Sequence, residues 1–253
     1  MHAASGFPLA HTNLPRDELL ALLKEHLPTY ERATALAEAY LENISWLPRP
    51  IQREQIMEEL LPLIYKGKYL DPSSRKDESV KYDGRHRMHN LALALALFAC
   101  GAAGDLTLPP NNQEGKMYHA LSLAAMSTHS VMSPGGASLE TVQAIILIAQ
   151  YDFFSCEKPT LESGWKVVSF ALIVAASVCI SADYCCSLAD LSLDWIAWVC
   201  HLPGSSHELI VIADRDPAHW KLEPKYVQRR RYIFWEIFCL DKFKVCFGMN
   251  RIN

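Results

Sequence analysis

The chain has 253 residues, half of them apolar, and a formal net charge of -4 at neutral pH. This length and apolar content allow one large domain or two small ones with a buried core. Both signs of charge are interspersed, so the sequence lacks the broad basic field by which proteins hold the phosphates of nucleic acids. DNA is therefore not the predicted ligand of these residues.

The thiols and the N-terminus indicate the cellular compartment. The eight cysteines are scattered through apolar sequence, and residues 1–11 lack the charged start and apolar run of a signal peptide. This favours reduced, buried thiols in a nuclear or cytosolic protein. The apolar run at residues 167–182, which contains no Asp, Glu, Lys, Arg or His, is shorter than the roughly 20 residues that span a bilayer, so it predicts a buried helix.

Apolar residues recur at three- and four-residue steps along most of the chain, which predicts an all-α fold. The first helices are predicted at residues 17–26 and 30–44, with Thr29 as N-cap of the second. Pro50 is predicted to start a third helix, which ends or kinks at Pro62. The polar stretch 66–85 predicts a loop.

Five further helices are predicted in the second part of the chain. They cover residues 86–103, 113–130, 138–155, 164–177 and 225–246. Proline and glycine separate them, with Pro159 before the fourth and Pro224 before the fifth. The predicted architecture is an irregular multi-helix array, a stack of helix hairpins.

Histidines are the first candidates for chemistry, because imidazole serves both metal binding and acid–base catalysis. The four in question are His86, His89, His119 and His129. No carboxylate or thiol lies at ligand spacing beside them, which favours a solvated histidine face. The sequence also contains no Gly-rich phosphate loop, no His-Glu-x-x-His, no Gly-x-Ser-x-Gly and no Cys-x-x-Cys.

The densest thiol cluster matches no structural zinc spacing. Its members are Cys179, Cys185, Cys186 and Cys200. We therefore predict no catalytic, metal-binding or cofactor-binding residue in the chain.

The basic run Arg229, Arg230 and Arg231 has two interpretations. A phosphate-binding helix needs its arginines on one side, whereas consecutive helical residues point in different directions, which favours a structural role. Asp241 shares a helical stripe with Arg230 and with Phe234, Ile237 and Phe238. Because an unpaired buried carboxylate is costly, we expect Asp241 to pair with Arg230 or with an arginine of another helix.

Two stretches carry motifs of a known family. Residues 27–65 contain Tyr40 and Trp46, then Pro50 and Arg53, at the spacing of that family's opening helices. Residues 215–248 contain its Arg-Asp, Leu-x-Pro, Arg-Arg-Arg-x-x-Phe-Trp and Asp signature: Arg215, Asp216, Leu222, Pro224, Arg229, Arg230, Arg231, Phe234, Trp235 and Asp241. The chain thus resembles the middle homology region of fungal zinc binuclear-cluster transcription factors.

The resemblance implies a helical, nuclear, non-catalytic domain that regulates an attached DNA-binding zinc cluster. Transcriptional co-regulators or a small-molecule effector are the implied partners, with no membrane. Residues 1–27 contain no cysteine, so zinc and DNA are expected only through a zinc-cluster domain outside this sequence. Residues 1–26 are then a linker with a short helix, and residues 27–253 the regulatory domain.

Two segments depart from the family pattern. Residues 178–211 are an atypical insertion, either a translated intron or a genuine loop with a helix near 191–200. Residues 249–253 are an atypical tail where the family continues with more helices, so the array is expected to be incomplete at its C-terminal end. Phe234 and Phe238 would then form an exposed apolar face.

Two rival functions remain. One is an all-α metal- or cofactor-dependent enzyme that uses the histidines. The other is a stand-alone interaction protein that competes with full-length regulators.

Overall fold

The computed structural model describes residues 15–44, 48–65, 84–127, 131, 137–155, 158–183 and 223–246. Within these residues the regular structure is entirely helical, which confirms the all-α prediction. The helices are α1 (Arg16–Glu25), α2 (Tyr30–Asn43), a π-helix (Gln55–Leu60) that continues as α3 (Leu61–Tyr65), α4 (Gly84–Gly104), α5 (Gln113–Met126), α6 (Leu139–Phe154), α7 (Lys158–Asp183) and α8 (Pro224–Cys246).

Helix α4 is the centre of the array, in contact with α2, α5 and α6. From Met88 to Ala102 its described side chains are buried, which matches a sequence of leucine and alanine on every side of the helix. Helix α7 packs on α6, and α8 contacts both. None of the described helices is long and apolar enough to cross a membrane.

The helix starts agree with local capping chemistry. Thr29 accepts a hydrogen bond from the backbone N of Arg32, as the sequence predicts. Ser138 and Thr141 form a reciprocal capping box at the start of α6. Asn112 accepts from the backbone N of Gly115 at 2.7 Å and so caps α5.

The predicted role of Pro50 is wrong. Pro50 lies in a buried bend, and helical structure begins only at residue 53. The chain then forms the π-helix and remains helical past Pro62. Pro62 has no N–H to donate to the preceding turn, and a wide turn before it accommodates that loss.

Helix α7 is longer than predicted at both ends. It begins at Lys158 because Pro159 falls in the first turn, where the missing N–H would be unpaired in any case. It ends at Asp183, so the proposed insertion boundary at residue 178 falls inside a helix. The rest of the insertion, with its possible helix at 191–200, and the tail at 249–253 lie outside the described residues, and their interpretation stays a prediction.

Candidate functional site

The segment formed by Pro48, Arg49, Pro50 and Ile51, here named the proline strap, is held against α6 by two buried glutamines. Gln143 donates from Nε2 to the carbonyl of Pro50 at 2.8 Å, and Gln150 donates to the carbonyl of Pro48. The two glutamines are about two helical turns apart, so they project from one face of α6. They satisfy strap carbonyls that no helix or strand pairs.

A second amide joins the strap to the π-helix that follows it. Gln55 and Gln143 are both buried, and each donates from Nε2 to the other's Oε1, at 2.9 and 3.0 Å. The strap, the π-helix and α6 are therefore connected by one buried polar network. Gln55 and Gln143 satisfy each other in this network, whereas Oε1 of Gln150 has no hydrogen-bond partner among the described residues.

Helix α8 is attached to this unit by charge. Glu59 of the π-helix accepts two hydrogen bonds from Arg229, at 2.6 and 2.7 Å, and one from Lys225. The Arg229 guanidinium lowers the pKa of Glu59 below its usual value. Glu236, about two turns further along α8, accepts from the backbone N of Arg49 at 3.1 Å. We name these contacts the α8 clamp.

The apolar side of α8 lies over the rest of the array. Its buried side chains are Val227, Ile233, Ile237 and Leu240. Of the predicted stripe, Ile237 is buried as expected, whereas the side chains of Phe234, Phe238 and Asp241 are outside the described set. The arginine pairing of Asp241 therefore stays a prediction.

The other signature residues lie apart from one another. Arg229 is inside the clamp with 12% of its side chain exposed, while Arg230 and Arg231 are partly buried. Trp235 is 51% exposed on the outer side of α8. Trp46, Arg215 and Asp216 are outside the described residues. Glu59 has no local spacing signal in the sequence, because its partners lie far along the chain.

A histidine–aspartate pair with a partly buried His119 and a buried Asp152 lies between α5 and α6. His119 Nε2 is 3.3 Å from Asp152 Oδ1, and the His119 ring stacks on Tyr151 with centroids 4.5 Å apart. His89 is also buried, with Nδ1 2.8 Å from Thr141 Oγ1. The predicted solvated histidine face is wrong for His89 and His119, because their polar partners come from a different helix.

Burial opposes charge on both members of this pair. It lowers the pKa of His119 to about 4 and raises the pKa of Asp152 to about 7, although a hydrogen bond from Ser163 acts in the opposite direction on the carboxyl. Unfolded, the two groups titrate near 6.5 and 3.9. The pair therefore carries about one proton in both states between roughly pH 4.5 and 6.5, and its net effect on the pH dependence of stability is small.

Single substitutions at His119 and at Asp152 should give pH dependences of folding stability with opposite signs. In His119→Gln, Asp152 keeps a folded pKa above its unfolded value, so stability falls as pH rises from about 4.5 to 7. In Asp152→Asn, His119 keeps a depressed pKa, so stability rises over about pH 4.5 to 6.5. We expect about 1–2 kcal/mol in each direction, measured by urea unfolding at a series of pH values. Slopes of the same sign in both variants would contradict this account of the pair.

The described residues do not fit a zinc site. Among them, no group of three or more His, Cys, Asp or Glu side chains lies close enough to hold a metal ion. Cys100 is buried and donates from Sγ to the carbonyl of Leu147 at 3.2 Å. Cys239 is exposed, which corrects the expectation of buried thiols at that position. The side chains of Cys179, Cys185, Cys186 and Cys200 are outside the described set.

The described residues form an all-helical domain around the apolar helix α4. Buried glutamines hold the proline strap on α6, and charged side chains attach α8 to the π-helix. The family model described as the fungal specific transcription factor domain matches residues 55–252. The chain belongs to this family of transcription-regulatory domains. The match includes Glu59, Arg229 and Glu236, and it leaves the resembling residues 27–54 outside. No curated protein and no solved structure shows significant similarity to the chain.

Proposed function

We propose that this chain is the regulatory domain of a fungal transcription factor, acting in the nucleus on an attached DNA-binding unit rather than catalysing a reaction. The family match over residues 55–252 is the observation that carries the proposal. By the family resemblance, DNA and zinc would be contacted through a separate six-cysteine cluster.

The α8 clamp supplies a physical route for such regulation. Glu59 is about one-third exposed, so water weakens its pairing with Arg229, and the pairing contributes far less than the apolar core. The proline strap, in which the backbone N of Arg49 donates to Glu236, is by contrast fixed to α6 by buried glutamine amides. A co-regulator or effector that moves α8 would therefore alter the contacts of the α8 clamp, which connect directly to the core, without unfolding the core.

A reporter assay tests the role of the domain and of the clamp together. The full chain, fused to an unrelated DNA-binding domain, is expected to change reporter transcription relative to that DNA-binding domain alone. Arg229→Glu places two carboxylates together and should remove at least half of this change, and so should Glu59→Arg. The double reversal restores an opposite-charge pair and should recover most of the effect.

Gln228→Glu is the matched control, because Gln228 is the exposed neighbour of Arg229 on the same helix. It should leave the reporter output unchanged. Output equal to that of the DNA-binding domain alone for the unmodified fusion would refute the proposed function. A regulated output that ignores both single reversals would refute the role of the clamp and leave the domain's function standing.

A further inference from the structure

Two buried polar atoms beside the proline strap have no hydrogen-bond partner among the described residues. They are the hydroxyl Oη of Tyr40 on α2 and the amide Oε1 of Gln150 on α6. Tyr40 is fully buried, and Gln150 is only 1% exposed. Buried polar atoms of side chains are hydrogen-bonded in the large majority of cases, because an unpaired one has lost its water without compensation. Each of these two atoms therefore calls for a partner.

Both atoms lie at the start of the strap. Gln150 donates from Nε2 to the carbonyl of Pro48, which places its amide there. The Tyr40 hydroxyl is close enough to Cys100, Arg49 and Glu236 for these groups to affect its pKa, so it lies near the residue that follows Pro48. Helices α2 and α6 both pack on α4, and the two side chains thus reach the strap from different helices.

The two atoms are complementary in their hydrogen-bonding chemistry. Burial raises the pKa of Tyr40 well above its usual value, so the phenol keeps its proton and can donate. The oxygen of the Gln150 amide can only accept. A direct hydrogen bond would satisfy both atoms, but they are not bonded to each other. A bridging molecule must therefore accept from Tyr40 and donate to Gln150.

The neighbouring groups narrow the class of this molecule. Cys100 donates from Sγ to the carbonyl of Leu147 at 3.2 Å, and Glu236 accepts from the backbone N of Arg49 at 3.1 Å, so neither provides the bridge. The opposite charges of Arg49 and Glu236 select neither an anion nor a cation, and burial of an ion is costly. A water molecule is neutral, both donates and accepts, and commonly occupies such interior positions.

We propose that one buried water molecule bridges Tyr40 Oη and Gln150 Oε1 and so links α2 to α6 beside the proline strap. It accepts from the phenol and donates to the amide oxygen, which satisfies both atoms. The site is next to the α8 clamp, because Glu236 of the clamp binds the backbone of Arg49. Binding of this water does not depend on the proposed function.

Tyr40→Phe tests the bridge through the sign of its effect. The change removes only the hydroxyl, and it leaves the water and Gln150 with one partner fewer. The equilibrium constant for unfolding, measured by urea unfolding of the purified full chain, should rise about tenfold. Loss of a hydroxyl that has no partner would have the opposite sign, because it removes an unsatisfied group. An unchanged or lower constant would overturn the proposal.

A double-mutant cycle tests whether the two side chains share the same water. In a chain that already carries Gln150→Met, Tyr40→Phe should raise the constant by less than about threefold. Tyr65→Phe is the matched control, because the Tyr65 hydroxyl donates directly to the carbonyl of Pro28 at 2.8 Å. Its effect should be the same with and without Gln150→Met. Equal effects of Tyr40→Phe in the two backgrounds would overturn the bridge.

A high-resolution crystal structure of the full chain gives a direct readout that holds even if Gln150→Met does not fold. It should show one ordered water within hydrogen-bonding distance of both Tyr40 Oη and Gln150 Oε1. A direct bond between the two side chains, a bond from either to another residue, or density too large for a water would overturn the proposal. None of these results depends on the reporter assay.

Discussion

Gly101→Ala is expected to destabilise the protein by about 3 kcal/mol or more, because the added methyl group would meet the backbone of a neighbouring helix. A Cβ on Gly101 of α4 would lie 2.1 Å from the carbonyl oxygen of Leu36 and 2.7 Å from its carbonyl carbon, in α2. These are backbone atoms of a packed helix and cannot rotate aside. Helices α2 and α4 would have to separate, with loss of packing around Leu36 and Tyr40.

Gly104→Ala is the matched comparison, at the end of the same helix. There the nearest atoms to a new Cβ are Cγ1 and Cδ1 of Ile44, at 2.9 and 3.0 Å. A side chain can change its rotamer, so we expect a loss of about 1 kcal/mol or less. Urea unfolding of both variants measures the difference. Equal losses for the two glycines would mean that the close approach of α2 and α4 is not what the structure shows.

Gln143→Leu is expected to have the second largest effect, a loss of about 2–4 kcal/mol. The change removes the donor to the Pro50 carbonyl and both hydrogen bonds of the pair with Gln55. The leucine adds apolar volume, but it leaves a buried carbonyl and a buried amide unsatisfied. Removing one partner of a buried hydrogen bond is costly for this reason.

The double variant Gln55→Leu/Gln143→Leu distinguishes the amide pair from simple packing loss. If the two amides satisfy each other, the double variant should lose less stability than the sum of the two single losses, by about 1 kcal/mol or more. Gln113→Leu, at an exposed position that begins α5, should change stability by less than about 0.5 kcal/mol. Additive losses at positions 55 and 143 would contradict the reciprocal pair.

The expected losses of stability at Gly101 and Gln143 indicate which contacts stabilise the domain most. Gly101 sets the distance between α2 and α4 in the apolar centre, and Gln143 fixes the strap and the π-helix on α6. The α8 clamp adds a weaker, partly exposed attachment at the edge. The proposed regulation requires an effector to change the contacts of α8, including its buried Ile233, Ile237 and Leu240, while the centre and the strap keep their positions.

The sequence by itself determined the class of fold and most of the helices. The repeat of apolar residues every three to four positions is a local property, and it predicts α2, α5 and α6 without knowledge of their neighbours. Caps are equally local, so Thr29 marks the start of α2. The arginine-rich signature near the end of the chain led to the family that the matching domain model shows.

Tertiary structure alone decided how the polar residues are used. Glu59 meets Arg229, His119 meets Asp152 and Gln143 meets the strap, in each case through packing of elements that are distant in the sequence. It also decided that the buried stripe of α8 runs through Ile233 and Leu240. Such contacts leave no local periodicity, because burial and pairing depend on which helix faces which, and only packing of the whole array sets that.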